Sequence, residues 1–152
     1  MIYGFEDSLL YDNKPLFELT QKELFELSEK YNLFMYQTHP FRDGVKVGDP
    51  KFMHGVECFN GHYHHNNNNL KAKEFCEKNY LIKVVGTDFH HDDQPITTAV
   101  LVPENINDSI SLTNYIRTNK LQTIEDKDTY IEQLLKNKSK RGIDLKRSDL
   151  CE

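Results

Sequence analysis

Short apolar runs alternate with segments of helical periodicity along the chain. Residues 19–31, LTQKELFELSEKY, carry apolar side chains at helical spacing behind Thr20 and Glu23, a pair typical of the capping box that begins a helix. A second helix is predicted over 70–79 with Asn69 as its cap, and two more over 109–118 and 128–137. Runs of strand length lie between them, at 32–39, 54–59, 80–87 and 97–102.

Polar side chains stand where three of these predicted strands end. Strands that are apolar on both faces and alternate with helices predict an α/β fold with a mostly parallel sheet. In such sheets, ligands gather at the carboxyl ends of the strands. The first strand ends in THPFR, the second in ECFNGH and the third in TDFHH. The pattern therefore predicts a functional site at that edge of the sheet.

Composition sets limits on the kind of protein this is. The 152 residues, 38% hydrophobic and 28% charged, match one globular domain, which we expect to cover residues 1–137 before a charged tail at 138–152. A net charge of −5 offers no basic surface for nucleic acid. No run approaches the ~20 apolar residues of a membrane span, and no secretory signal is evident. Three cysteines without CxxC spacing indicate reduced thiols and a cytoplasmic location.

The end of the third strand carries the strongest candidate for metal chemistry. Asp88 and His90 are two residues apart, so on extended backbone both side chains would point the same way. A carboxylate with an imidazole suits Zn, Mn or Fe better than Ca or Mg. His39 at the neighbouring strand end completes a possible ligand set, and the planar fork of Arg42 fits the oxygens of a phosphate.

Each of these residues also has a purely structural interpretation. An Asp-x-His sequence is common in turns, and His91 is most simply a loop residue or a support for the site. The tract HYHHNNNN, 62–69, is predicted to be a solvated low-complexity loop, in which His62 is the strongest candidate because it adjoins a strand end. Glu57 is either buried and paired with Asn60 or an outer group of the site.

Taken together, THPFR, GVECFNGH and GTDFHH resemble the PHP family, the polymerase and histidinol phosphatase domain. The resemblance implies a distorted (β/α)7 barrel with up to three Zn, Mn or Fe ions at its C-terminal face and hydrolysis of phosphoesters. It implies metal ligands at His39, Asp88 and His90 and a phosphate contact at Arg42. It assigns supporting positions to Glu57 and Asn60, with His62 and His91 as further candidates beside them.

The chain departs from this family at its beginning. PHP domains begin with a His-x-His strand, and here no histidine precedes His39. MIYGF resembles a strand from the middle of such a domain, so the resemblance predicts a partial barrel that holds fewer than three ions. Open sheet edges favour a homodimer or a partner chain that completes the barrel. The predicted function is a metal-dependent phosphoesterase for a phosphorylated small molecule. The alternative is a catalytically inactive remnant or accessory domain with an incomplete metal site.

Overall fold

A mixed sheet of four strands forms the centre of the protein. The structure is a computed structural model that describes residues 1–5, 15–144 and 146–147. The strands are adjacent in the order β1 (Ile2–Tyr3), β2 (Phe34–Gln37), β3 (Gly55–Asn60) and β4 (Ile82–Gly86). Strands β2, β3 and β4 are parallel, and β1 is antiparallel to β2. The three strands predicted to end in candidate ligands are therefore neighbours with a common carboxyl edge.

The described residues also form four helices, and their caps explain where they begin. The helices are α1 (Gln21–Lys30), α2 (Asn69–Lys78), α3 (Ser109–Thr118) and α4 (Lys127–Lys140), with short 3-10 helices at Leu16–Glu18 and Pro50–Phe52. The predicted capping box is confirmed, because the Thr20 hydroxyl accepts from the Glu23 amide while the Glu23 carboxylate accepts from the Thr20 amide. Aspartates cap α3 and α4, as Asp108 and Asp126 accept hydrogen bonds from amides of the first turn.

The last long helix ends later than the sequence predicts. The helix α4 continues to Lys140, so residues 138–140 of the predicted tail are helical. Of the rest of that tail, 145 and 148–152 lie outside the described residues.

None of the described helices has the length and apolar character needed to cross a membrane.

A second, antiparallel pair of strands lies beside β4. It consists of β5 (Thr98–Leu101), which the sequence predicts, and β6 (Gln122–Glu125), which it does not. The hydroxyls of Thr87 and Thr98 lie 2.9 Å apart, and Lys83 forms an ion pair with Glu125. The expected α/β class with parallel strands is confirmed for β2–β4, but the whole arrangement is mixed, and no closed barrel forms within the described ranges.

The last long helix packs directly on the strands that carry the site. Leu134, Tyr130 and Ile131 of α4 form a buried cluster with Phe59 and Val85. The ring of Tyr130 meets that of Phe59 edge-on, with centroids 5.3 Å apart. Because Phe59 and Val85 lie near the ends of β3 and β4, α4 supports the carboxyl edge of the sheet.

Leu134 provides a test of this packing, since its side chain is 0% exposed. Replacement Leu134→Ala leaves a cavity between α4 and the sheet and should lower the free energy of unfolding by about 2–5 kcal/mol, measured by urea titration. The control Glu132→Ala changes an exposed position of the same helix and should stay within about 0.5 kcal/mol of the wild type. Equal stabilities for the two variants would show that α4 does not pack as described.

Candidate metal centre

His62, Asp88 and His90 converge beyond the carboxyl edge of the sheet. Each offers one ligand atom, and the three atoms lie within 4.8 Å of one another. His62 is buried, Asp88 is half-buried and His90 is exposed, so the group has access to solvent on the side of His90. Two imidazoles and one carboxylate form a donor set that suits Zn, Mn or Fe. We call these three residues the metal group.

The structure does not bring His39 into the metal group. The backbone amide of His39 donates to Glu57 Oε2 at 2.6 Å, which fixes this residue at the end of β2. Its ring nitrogen Nδ1 is buried and has no hydrogen-bond partner within the described part of the chain. Among the three strand ends, it is therefore His62 after β3, rather than His39 after β2, that joins Asp88 and His90.

Asp88 and His90 approach each other through a turn of the backbone and not along an extended strand. The expected extended backbone is wrong, because Asp88 has a φ of 54°, in the left-handed region. The chain turns there, and His90 Nδ1 lies 2.7 Å from the backbone oxygen of Asp88. Since a carbonyl oxygen only accepts hydrogen bonds, Nδ1 must carry the hydrogen. The other ring nitrogen, Nε2, is then the one able to bind a metal.

Arg42 binds Asp88 rather than standing open at the site. Its Nη2 atom donates to Asp88 Oδ2 at 2.6 Å and to Asn60 Oδ1 at 3.1 Å, and its Nε atom donates to Asn67 Oδ1 at 2.8 Å. Burial by itself raises the pKa of Asp88, but the hydrogen bond and positive charge of Arg42 outweigh it and hold the pKa below its usual value. Asp88 is therefore ionised at neutral pH, in a fixed orientation.

Glu57 is buried beneath the site and is paired, which decides between its two interpretations. It is 4% exposed, and its Oε2 accepts hydrogen bonds from Asn60 Nδ2 at 2.9 Å and from the His39 amide. Burial raises the pKa of Glu57 above its usual value. Its Oε1 lies against Gly86, where a Cβ would come within 2.1 Å of that atom, so a larger residue there would force the Glu57 carboxylate to shift.

The asparagine tract is part of the protein's internal framework, and its prediction as a solvated loop is wrong at Asn67. This residue is 1% exposed. Its Nδ2 donates to the backbone oxygens of Asn60 and His62 at 3.1 and 3.0 Å, while its Oδ1 accepts from Arg42. One amide side chain thus holds the backbone that leads to His62 and orients the guanidinium that holds Asp88.

Asn69 takes the place of a strand partner for the end of β3. Its Oδ1 accepts from the Asn60 amide at 2.9 Å, and its Nδ2 donates to the Asn60 carbonyl at 3.1 Å. The expectation that Asn69 caps α2 is wrong: Asn69 is the first residue of the helix, and Asn68 before it has left-handed backbone and makes no side-chain capping bond. Asn68 Nδ2 instead donates to the backbone oxygen of Phe41 at 2.9 Å.

His62 lies in a cluster of imidazole rings. Its ring centroid is 5.1 Å from that of His64 and 5.3 Å from those of His65 and His90. Burial lowers the pKa of His62 to about 4, so this imidazole is uncharged at neutral pH. A neutral ring is the form that binds a metal.

Gln94 also supports the metal group, although it is not among the residues predicted for the site. Its Oε1 accepts from the His90 amide at 3.0 Å, and its Nε2 donates to the backbone oxygens of Thr87 and Asp88 at 3.0 and 3.2 Å. The same Nε2 lies 3.3 Å from His62 Nδ1. The Gln94 side chain is 5% exposed. It therefore lies inside the loop 87–94 and joins the two ends of the loop through these hydrogen bonds. A lone glutamine in a polar loop carries no signal in the sequence that would single it out.

His91 lies outside the metal group. Its ring is exposed, and the ring centroids of His90 and His91 are 6.4 Å apart. Of the residues predicted for the site, the structure joins Arg42, Glu57, Asn60, His62, Asp88 and His90 in one connected arrangement. His39 touches this arrangement through its backbone amide.

Comparison with known proteins adds no relative. No protein-family model matches the chain, and no curated protein and no solved structure matches it significantly. The similarity to PHP domains therefore rests on the three strand-end motifs alone.

The role of Asn67 can be tested against its neighbour in the same tract. Asn67→Ala removes the buried acceptor of the Arg42 Nε and one of the donors to the carbonyls of Asn60 and His62, so the free energy of unfolding should fall by about 1–3 kcal/mol. The matched control Asn66→Ala removes an exposed side chain that accepts one bond, from the Asn68 amide, and should change stability by less than about 0.5 kcal/mol. Denaturant titration of both variants measures the difference. A solvated, unstructured tract would give the same small change in both.

Proposed function

We propose that this protein binds one divalent transition-metal ion, of the Zn, Mn or Fe type, at the metal group and uses it to hydrolyse phosphoesters. The observation that carries the proposal is the convergence of His62, Asp88 and His90 within 4.8 Å. Three protein ligands leave further coordination positions of the ion open, as catalytic sites require.

The protonation states of the ligands fit such an ion. Metals bind deprotonated ligands, so a site whose groups are already in that form at neutral pH gains affinity. Asp88 is ionised beside Arg42, and His62 is uncharged because of its burial. His90 Nδ1 donates to a backbone oxygen, which leaves Nε2 as the ring nitrogen that could bind the ion.

The surrounding residues keep these ligands in place. When bound, the ion would act as a Lewis acid that draws charge from phosphoryl oxygens and makes water more acidic. Arg42 fixes the Asp88 carboxylate, and Gln94 fixes the backbone between Thr87 and His90. Such supporting contacts typically contribute about 10–100-fold to metal affinity.

The choice of phosphoesters follows from the resemblance to PHP domains. The strand order β2–β3–β4, with the pair β5–β6 beside β4, supports a partial distorted barrel of that kind. Under this proposal, a homodimer or partner chain completes the barrel, and the substrate is a phosphorylated small molecule. The net charge of −5 disfavours nucleic acid.

The metal group predicts which variants lose the ion. The wild type should bind one equivalent of Zn²⁺ or Mn²⁺, measured by calorimetry and elemental analysis. Asp88→Asn, His62→Ala and His90→Ala should each lose that equivalent, together with metal-dependent hydrolysis of p-nitrophenyl phosphate. Chelation of the wild type should abolish the same activity.

Two histidine variants serve as controls for this experiment. His91→Ala replaces an exposed ring next to a ligand, and His39→Ala replaces the ring that the family resemblance assigns as a ligand but the structure keeps outside the group. Both should retain one equivalent. Loss of the ion in His39→Ala would contradict the ligand set. If the wild type binds no metal at all, the accessory-domain alternative stands instead.

Arg42→Gln separates the two roles considered for this arginine. If Arg42 positions Asp88, the variant should bind metal about 10–100-fold more weakly, because the carboxylate loses its orientation and charge partner. A residue that only contacts phosphate would leave metal affinity unchanged and raise KM. Circular dichroism checks that the variant folds, and Arg42→Lys, which keeps the charge, should recover part of the affinity.

A further inference from the structure

A polar cleft adjoins the metal group. Its volume is about 650 Å³, and its walls include His64, His91, Asp93, Lys136 and Lys140. It lies between α4 and the two loops that carry His62 and His90. The hydrogen bond from Asn137 Nδ2 to the backbone oxygen of Tyr63, at 3.3 Å, joins α4 to the first of these loops.

The cleft is within reach of the proposed ion. The ring of His64 lies 5.1 Å from that of His62, and the ring of His91 lies 6.4 Å from that of His90, measured between centroids. Two walls of the cleft are thus formed by direct neighbours of two metal-group residues. A substrate bound at the metal group would therefore lie beside the cleft walls that His64 and His91 form.

The cleft carries positive charge in an acidic protein. Lys136 and Lys140 are four residues apart on α4, so they project from the same side of the helix. Among the described residues that line the cleft, they outnumber the one carboxylate, Asp93. Arg141 lies close enough to His64 to lower the pKa of that imidazole, after the larger effect of burial. The chain as a whole has a formal charge of −5, so this local excess of cations is not a general property of its surface.

We propose that this cleft binds a second anionic group of the substrate, a carboxylate or a further phosphate carried by the leaving group. The inference rests on the function proposed above and specifies its substrate class. Lysine ammonium groups and imidazole N–H groups are donors that recognise anionic oxygens. Arg42, a further cation near the site, is mostly buried and already bound to Asp88, Asn60 and Asn67. The substrate is therefore a phosphomonoester with an additional negative charge.

Binding to the cleft can be measured without metal or turnover. Chelator-treated protein is titrated with inorganic phosphate while the ring resonances of His64 and His91 are followed by NMR. Both should shift in a saturable way, and the affinity should fall as ionic strength rises. The double variant Lys136→Gln/Lys140→Gln should bind phosphate at least about tenfold more weakly, because two charge-assisted contacts are lost. The control Lys71→Gln/Lys78→Gln removes the same charge from exposed positions of α2 and should bind as the wild type does.

The metal-loaded protein tests the substrate class with a matched pair. 3-Phosphoglycerate carries a carboxylate at the position where glycerol 3-phosphate carries an uncharged hydroxymethyl group. The wild type should have the lower KM for 3-phosphoglycerate, and this preference should disappear in Lys136→Gln/Lys140→Gln while hydrolysis of p-nitrophenyl phosphate persists.

Each outcome of these experiments has a distinct meaning. The proposal that the cleft binds an anion is rejected if phosphate affinity is unchanged in Lys136→Gln/Lys140→Gln. It is also rejected if the α2 control reduces the affinity equally. Hydrolysis without any preference for the carboxylate substrate overturns the substrate class. Absence of all hydrolysis, with lysine-dependent phosphate binding intact, rejects the phosphoesterase and leaves the cleft as an anion site.

Discussion

The ion pair between Arg42 and Asp88 holds the site together. Arg42 follows β2 and Asp88 follows β4, so a contact of 2.6 Å between them spans the end of β3. Asn60, at the last position of β3, accepts from the same guanidinium. Both side chains of the pair are largely buried, and a buried charge without its partner is strongly destabilising. The pair therefore makes the positions of three strand ends depend on one another.

Much of the framework could be predicted because it depends on local chemistry. Thr20 with Glu23 begins α1 through backbone amides that any helix leaves unpaired, and Asp108 does the same for α3. The parallel strands are short apolar runs, as expected for strands covered on both faces. Strand β6 does not show this apolar pattern. Its less exposed positions are Thr123 and Glu125, whereas Ile124 is 50% exposed, so its pattern is the reverse of a half-buried strand.

The edge of the sheet at which the candidate site lies could be predicted from the sequence, but the residues that converge there could not. Parallel strands bring their carboxyl ends to one edge whatever the residues are, which is why the residues that follow the three predicted strands lie close together. The direction of each side chain depends on the turn that follows. The left-handed backbone of Asp88 and the amide contacts of Gln94 bring His90 back towards Asp88. His39, in an equally plausible position along the chain, is held by its amide on Glu57.

The asparagine tract has a consequence for how this sequence can change. In most low-complexity runs, gain or loss of one repeated residue alters little. Here consecutive asparagines have separate tasks, since Asn67 orients Arg42, Asn68 contacts Phe41 and Asn69 completes β3. The fixed points on either side are His62 and the first turn of α2. A single added or deleted asparagine would leave the composition of the run almost the same and yet shift every amide out of register. The fold therefore constrains the length of this asparagine run.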